Sequence, residues 1–247
     1  MFDNLFTSIF SGLFFGRLLY VILNFSKFGF DPIKFILVNG YPGFSIIGGL
    51  AGFTLAIYLL SKKQKASFNE IVDYFIPPIF LALGFGKLGS FFSGSELGSK
   101  TKFIISLKYP GLIGNYHLTA FYESFLFFCG FYLAYRILMA IRKEQGRKGL
   151  NLYFFIVWFG GEYFWFDKLK SSHLYFQNWS FNRITGLLLH LTGVLYFLYY
   201  FRRQIIQNIK NIINFITRHV KKNISKIYQG TKNRSRQGKE KNSRSNS

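Results

Sequence analysis

The sequence predicts an all-α polytopic membrane protein, about six transmembrane helices followed by a basic cytoplasmic tail. Three observations predict it. Half of the 247 residues are hydrophobic and 21% are aromatic, in a chain whose formal net charge is +21. A soluble domain this basic does not carry so many aromatic residues. The two properties also occupy different segments: residues 202–247 hold 13 Lys/Arg against the single acid Glu240. Finally, six stretches approach the roughly 20 mostly apolar residues that a spanning helix needs. They are 5–25, 44–60, 71–92, 119–141, 150–166 and 185–201.

The first stretch follows Asp3 and no basic residue and is too long for a cleaved signal peptide. It carries Gly12, Gly16 and Arg17. The second carries Gly48 and Gly52. Small residues four apart suit close helix packing. The third enters with Asp73, meets Pro77 and Pro78, where a kink is expected, and continues through glycines around Lys87. Residues 93–118 are too polar to span. The fourth stretch contains Glu123, Cys129 and Arg136, and the fifth Glu162. Cys129 is the single cysteine, so it forms no intrachain disulfide, and it reads as a small core hydrophobe. No Cys/His set has zinc spacing, and no metal is expected.

Beyond the sixth stretch, Ile205, Ile206, Ile209, Ile212, Ile213, Ile216 and Val220 recur at three- and four-residue spacing. With Lys210, Arg218, Lys221 and Lys222 among or after them, they describe an amphipathic helix lying on an anionic leaflet. Residues 229–247, rich in Lys, Arg, Ser, Asn and Gly, read as disordered. The expected divisions are therefore 1–201, 202–228 and 229–247. A basic run beside a span is a topology and headgroup feature, so no nucleic-acid partner is expected. Lysines at 62, 63 and 65, the basic residues of 142–148 and the tail fall on one side of six spans. The positive-inside rule then puts both termini in the cytoplasm.

Ionisable residues inside spans are costly and are candidates for function. Arg17, Lys87 and Glu123 outline a polar cavity. Asp73 and Arg136 fit that cavity or an internal ion-pair lattice equally. Gly84-Phe-Gly86-Lys87-Leu-Gly89 matches the dinucleotide pattern GxGxxG. It lies inside an apolar span with no strand before it and no acid about 20 residues later, which excludes that reading. Close packing, or backbone bent beside a ligand, is the better account. Ser90, Ser93, Ser95 and Glu96 follow at the membrane face. Lysine, glycine N–H groups and hydroxyls together suit a phosphate, and a phospholipid headgroup is the obvious anion. Lys87 has two candidate partners: an internal acid, Glu123 or Asp73, or the lipid phosphate. The room that the glycines leave favours the phosphate.

Residues Asp73–Gly98 resemble the signature of the prolipoprotein diacylglyceryl transferase family, roughly D-x-x-x-P followed by G-x-G-R-x-G-N-F-x-N-G-E-x-x-G. Other blocks align in order over about 10–200. Gly16-Arg17-Leu-Leu-Tyr20 is similar to G-R-x-x-Y, and Gly43 to Gly49 to G-x-S-F-H-G-G. His117 to Glu123 resembles H-P-S-Q-L-Y-E, and Gly160 to Lys170 resembles Y-G-x-x-R-x-x-x-E-x-x-R. The chain departs at several positions: Ile47 for the family His, Lys87 for Arg, Ser90 and Ser93 for Asn, Ser95 for Glu, and Tyr163 for a second Arg. The family's usual first span has no counterpart.

The resemblance implies transfer of a diacylglyceryl group from phosphatidylglycerol to a lipobox cysteine thiol of a prolipoprotein, with glycerol phosphate leaving and no cofactor. It implies a multi-pass protein of the bacterial inner membrane whose partners are phosphatidylglycerol, other anionic lipids and the prolipoprotein signal peptide. The candidate catalytic residues are Lys87, Glu96, His117, Arg17 and Tyr20. Ser90, Ser93, Gly86, Gly89, Gly94, Glu123 and Tyr122 are the candidates for substrate binding. A relative that binds phospholipid or signal peptide without transfer is the alternative, favoured by Ile47 and Tyr163. A small six-span transporter is the third, and it lacks the internal repeat expected of one.

Overall fold

The computed structural model describes the backbone of residues 2–171, 175–176 and 179–244, and the side chains of 5–171 and 179–213. It is predominantly helical. The chain divides into two units, Met1–Val194 and Leu195–Ser247.

In the first unit, α1 (Phe2–Leu23) is followed by two short helices, α2 (Phe25–Phe28) and α3 (Pro32–Ile36), and then by α4 (Ile46–Lys63). Asp31 starts α3 by accepting from Ile33 N at 2.9 Å, with Pro32 at the first helical position, where its missing N–H costs nothing. Ser45 caps α4 through Gly48 N at 3.3 Å. The glycine pairs bring α1 and α4 together: a Cβ on Gly48 would stand 2.6 Å from Phe15 O, and one on Gly52 2.7 Å from Ser11 O.

Helix α5 (Phe68–Ser93) runs without interruption through Pro77 and Pro78 and ends at Gly94 in the left-handed region, φ +66°. A small sheet follows: β1 (Lys100–Thr101), β2 (Ser106–Leu107) and β3 (Asn115–His117), in the antiparallel order β1-β3-β2. Helix α6 (Thr119–Arg142) packs along α5, and Ser124 Oγ donates to Gly84 O at 2.8 Å.

Helix α7 (Leu150–Phe166) is capped by Asp73, whose carboxylate accepts from Gly149 N at 2.6 Å and Asn151 N at 3.0 Å. Asn151 donates in turn to Asp73 O and Ala134 O. Asp73 thus satisfies N–H groups that a helix start leaves orphaned, and belongs neither to a polar cavity nor to an ion-pair lattice. Arg136 is exposed and donates to the Tyr132 hydroxyl at 3.1 Å. A 3₁₀ turn (Asp167–Leu169) and the pair β4 (Tyr175–Phe176) and β5 (Trp179–Ser180) lead into α8 (Phe181–Arg244). Gly160 and Gly186 let α7 and α8 touch: a Cβ on Gly160 would lie 2.8 Å from Gly186 O.

The core is an aromatic stack across three helices. Phe80 of α5 meets Phe155 at 5.0 Å and Phe127 of α6 at 6.3 Å, and Phe127 stacks on Phe159 of α7.

Among the described residues, five helices are long and apolar enough to cross a membrane: Leu5–Leu23, Ile46–Lys63, Phe68–Ser93, Thr119–Arg142 and Phe181–Ile213. Helix α7, the fifth expected span, has 17 residues, about 25 Å of helix and the short limit for a crossing. The architecture is that of an all-α polytopic membrane protein.

In the second unit, α8 continues helically past both expected divisions, 201/202 and 228/229. Its exposed Ile206, Ile209, Ile212 and Ile213 belong to the expected stripe. The side chains of Ile216, Val220 and the basic run 229–247 lie outside the described residues.

Candidate functional site

One turn beyond the aromatic stack, toward the Gly94 end of α5, the same faces carry charge. Lys87 is two turns past Phe80, Glu123 one turn before Phe127, and Tyr163 one turn past Phe159. Lys87 Nζ lies 2.6 Å from Glu96 Oε2 and 2.7 Å from Glu123 Oε2. Lys170 Nζ lies 2.6 Å from Glu123 Oε1 and 4.0 Å from Glu96 Oε2. The contacts to Glu123 are ion pairs without the angle of a hydrogen bond, whereas Glu96 accepts well-formed bonds from Lys87. Lys170 also sits over the Tyr163 ring at 5.4 Å. Two lysines and two glutamates therefore alternate in a closed, neutral ring, with Lys87 and Glu123 only 4% and 1% exposed.

Backbone stitching places Glu96 beside Lys170. Ser99 N donates to Leu169 O and Ser171 N to Leu97 O, which clamps 97–99 against 169–171. On the other side His117 N donates to Ser99 O. Only glycine fits at 98, where a Cβ would stand 2.2 Å from His117 O. Burial works to raise the Glu96 carboxyl, but the charges of Lys87 and Lys170 outweigh it and hold the group below its ordinary value of 4.5.

Three members of the ring, Lys87, Glu96 and Lys170, line a polar cavity of about 230 Å³, with Tyr20, Ser45, Tyr163 and Asn182 among its other walls. Ile47 lies in this cavity and also in a larger apolar cleft of about 480 Å³ between α4, α5 and α7. Phe44, Ser45 and Ile46 are shared with a second apolar cleft of about 380 Å³ along α1. The clefts of about 480 and 380 Å³ are lined mainly by apolar side chains, whereas the cavity of about 230 Å³ carries Lys87, Glu96 and Lys170.

The candidate residues separate into groups. Lys87, Glu96 and Tyr20 come together at the polar cavity, and Glu123 is paired to Lys87 and Lys170 outside its lining. Ser90 adds, after the two lysines, to the lowering of the Glu96 carboxyl. Ser93 is exposed and bonds Ser95 at 3.0 Å. Gly86 and Gly89 face open space, so they bring no backbone up to a ligand in this cavity, and Gly94 serves as the C-cap of α5.

Arg17 is not directed at the polar cavity. Its Nε donates to Phe35 O at 2.9 Å, Nη1 to Gly43 O at 2.8 Å and Nη2 to Lys34 O at 2.8 Å, and the guanidinium lies over Phe28 at 5.0 Å. It fixes the loop that carries Phe44 to Ile47 into the site. His117 and Tyr122 line a separate apolar pocket of about 430 Å³ with Phe103, Ile105, Phe166 and Leu169. Tyr122 donates its hydroxyl to Ile105 O.

Lys170 was absent from the expected site, although it closes one of the resembling sequence blocks. Nothing in sequence spacing marks Ser45 or Asn182.

A ring of paired charges inside a helical bundle, opening between two apolar clefts, defines a membrane protein able to hold a lipid with its polar end buried. A family profile described as prolipoprotein diacylglyceryl transferase matches residues 1–199. The chain belongs to that family. It is 27% identical over 188 residues to the phosphatidylglycerol–prolipoprotein diacylglyceryl transferase of Clostridium novyi, covering 73% of this chain and 71% of the relative. The corresponding protein of Halalkalibacterium halodurans is 29% identical over 173 residues, 66% of this chain and 58% of the relative. That of Chlorobaculum tepidum is 29% identical over 200 residues, 72% and 67%. The chain thus spans between 58% and 71% of the length of these relatives.

Proposed function

We propose that this chain transfers a diacylglyceryl group from phosphatidylglycerol to the cysteine thiol of a prolipoprotein signal peptide, in a bacterial inner membrane with both termini cytoplasmic. One observation carries the reading: a polar cavity walled by two lysines meets two apolar clefts at Ile46 and Ile47. A headgroup fits the first and two acyl chains fit the others.

In this reading Lys87 and Lys170 exchange a glutamate for the lipid phosphate, and Tyr20, Ser45 and Asn182 bond the glycerol hydroxyls. The thiol sulfur attacks the glyceryl carbon that bears the phosphate ester. The C–S bond forms as the C–O bond breaks, glycerol phosphate leaves with the electron pair, and the proton lost by the thiol ends on that leaving phosphate. The lysines stabilise the charge on the leaving phosphate. His117 and Tyr122, at the separate apolar pocket, belong to the acceptor-peptide side.

A second reading, a lipid-binding relative without transfer, is favoured by the same ring: both lysines are already paired to acids, and Tyr163 and Ile47 offer neither a second guanidinium nor an imidazole. The test is the purified chain with phosphatidylglycerol and a lipobox peptide, scored by mass for diacylglyceryl gain. Product supports transfer. Thermal stabilisation by the lipid with no product supports the second reading.

A further inference from the structure

The segment that joins α5 to α6 is too polar to cross a membrane, yet it presents apolar side chains at the turn between β1 and β2. Ile104 is 95% exposed, and its neighbours Phe103 and Ile105 are half exposed. Lys100 and Lys102 precede this tip and Lys108 follows it, all three exposed. Residues 97–122 contain no Asp or Glu. The acids on either side, Glu96 and Glu123, are taken up by the lysines of the ring. The segment is thus apolar at its tip, cationic beside it and without a counter-charge of its own.

The tip is held in place. Phe103 N donates to Thr101 Oγ1 at 3.1 Å, and Ser106 Oγ donates to Phe103 O at 2.6 Å. The Tyr122 hydroxyl, in the first turn of α6, donates to Ile105 O. The Phe103 ring lies 6.0 Å from that of His117 on β3. These bonds satisfy the N–H of Phe103 and the carbonyls of Phe103 and Ile105, which would otherwise resist leaving water. They also fix the tip beside the start of α6. There Phe121 is exposed and meets Phe91 of α5 at 5.4 Å. Both helices are long and apolar enough to cross a membrane, so the tip stands at the level where they leave it.

A Phe-Ile-Ile run left in water forgoes the free energy of burying it and marks an interaction surface. We propose that residues 103–105 and the three lysines form a docking site for a leaflet of anionic phospholipid. The tip side chains enter the boundary between headgroups and acyl chains, and the lysines meet the phosphates. Charge decides the occupant. A cationic surround with no acid matches phosphodiester headgroups, whereas the apolar core of a signal peptide gives the lysines nothing to pair with. Each lysine near an anionic surface favours contact by roughly fivefold, and the tip adds apolar burial. The site gathers anionic lipid at the end of the bundle where the Lys87 cavity lies. It is separate from that cavity, and the inference holds whichever reaction the cavity performs.

The experiment places the full chain, Cys129→Ala with a polarity-sensitive fluorophore on Ile104→Cys, in nanodiscs. The discs are phosphatidylcholine alone, or phosphatidylcholine mixed with phosphatidylglycerol. Doxyl-labelled lipid quenches a probe at the headgroup boundary, and acrylamide quenches one in water. In mixed discs the Ile104 probe is expected to be blue-shifted and quenched by doxyl lipid. Its shielding from acrylamide is expected to be at least about twofold greater than in phosphatidylcholine discs. A probe on Gln145→Cys, exposed on the polar loop before α7, is the reference and is expected to stay open to acrylamide in both. Changing Lys100, Lys102 and Lys108 together to Gln is expected to abolish the difference between discs. Ile104 is so exposed that Ile104→Cys is expected to melt with its Cys129→Ala parent, and Ile105→Cys provides a second reporter of the same tip. An Ile104 probe as open to acrylamide as the Gln145 probe in mixed discs overturns the proposal. Equal shielding in the two lipids overturns it as well, and so does a triple-lysine variant that behaves as its parent. Shielding that appears only when a signal peptide is added makes the peptide the occupant, and the proposal falls.

Discussion

Lys87 shows how a single residue can look the same in sequence under two roles. A lysine among glycines inside a span invites a lipid phosphate, yet in the folded chain it holds Glu96 and Glu123 together. Removing one partner of a buried pair leaves the other charge uncompensated, so Lys87→Met is expected to lose roughly 3–5 kcal/mol of stability. Lys87→Arg, which keeps the charge, loses less. Thermal unfolding in detergent measures both, and an unchanged melting temperature for Lys87→Met would remove the ring from the account of stability. Glu96 adds a pH dependence of definite sign. Its carboxyl is lower in the folded chain than its ordinary 4.5, so its contribution is complete above about 4.5 and is lost as pH falls through the folded value. The stability difference between wild type and Glu96→Gln is therefore expected to be steady from pH 8 to 5 and to shrink toward pH 3. A difference that grows with acid would contradict the sign. Arg17 is the opposite lesson. Its guanidinium donates to two backbone carbonyls of α3 and one of the loop before α4, and nothing about an arginine in a span distinguishes that from a ligand contact.

At the scale of elements, glycine divides into positions that are packed and positions that are open. On Gly52 a Cβ would stand 2.5 Å from Phe15 Cβ, whereas Gly86 has no heavy atom within 4 Å of that place. Gly52→Leu is therefore expected to cost about 1–3 kcal/mol by forcing α1 from α4. Gly86→Ala is expected to be neutral or to gain about 0.5–1 kcal/mol of helix preference. Melting temperatures of the two variants check the contrast. Sequence spacing identified the Gly12/Gly16 and Gly48/Gly52 pairs, since four-residue repeats of small side chains need no knowledge of the partner. The same reasoning assigned close approach to Gly86 and Gly89, where the helix faces open space. Asp73 was legible as a buried acid but not as the cap of α7, because Gly149 and Asn151 lie 76 and 78 residues away.

For the whole molecule, orientation is the testable claim. With both termini on the cytoplasmic side, a single cysteine at Ser235 in a Cys129→Ala background is expected to resist a membrane-impermeant reagent added outside intact cells. External labelling there would invert the topology. The sequence by itself determined the membrane class, the family and the positions of the long helices to within a few residues, apart from the end of α8, which runs on to Arg244. Those follow from apolar run length, from charge asymmetry and from short motifs, all of which are local along the chain. It also brought forward Lys87, Glu96 and Tyr20, which the fold gathers at one cavity, and Glu123, which pairs with Lys87 beside it. Only the tertiary structure decided what they do there. The ring with Lys170 depends on the clamp between 97–99 and 169–171, and His117 on β3 and Tyr122 at the start of α6 line another pocket. Charge pairing acts over a few ångströms in space between groups that are tens of residues apart in sequence, so the partner of a buried ion is fixed by how helices pack and not by the motif in which it stands.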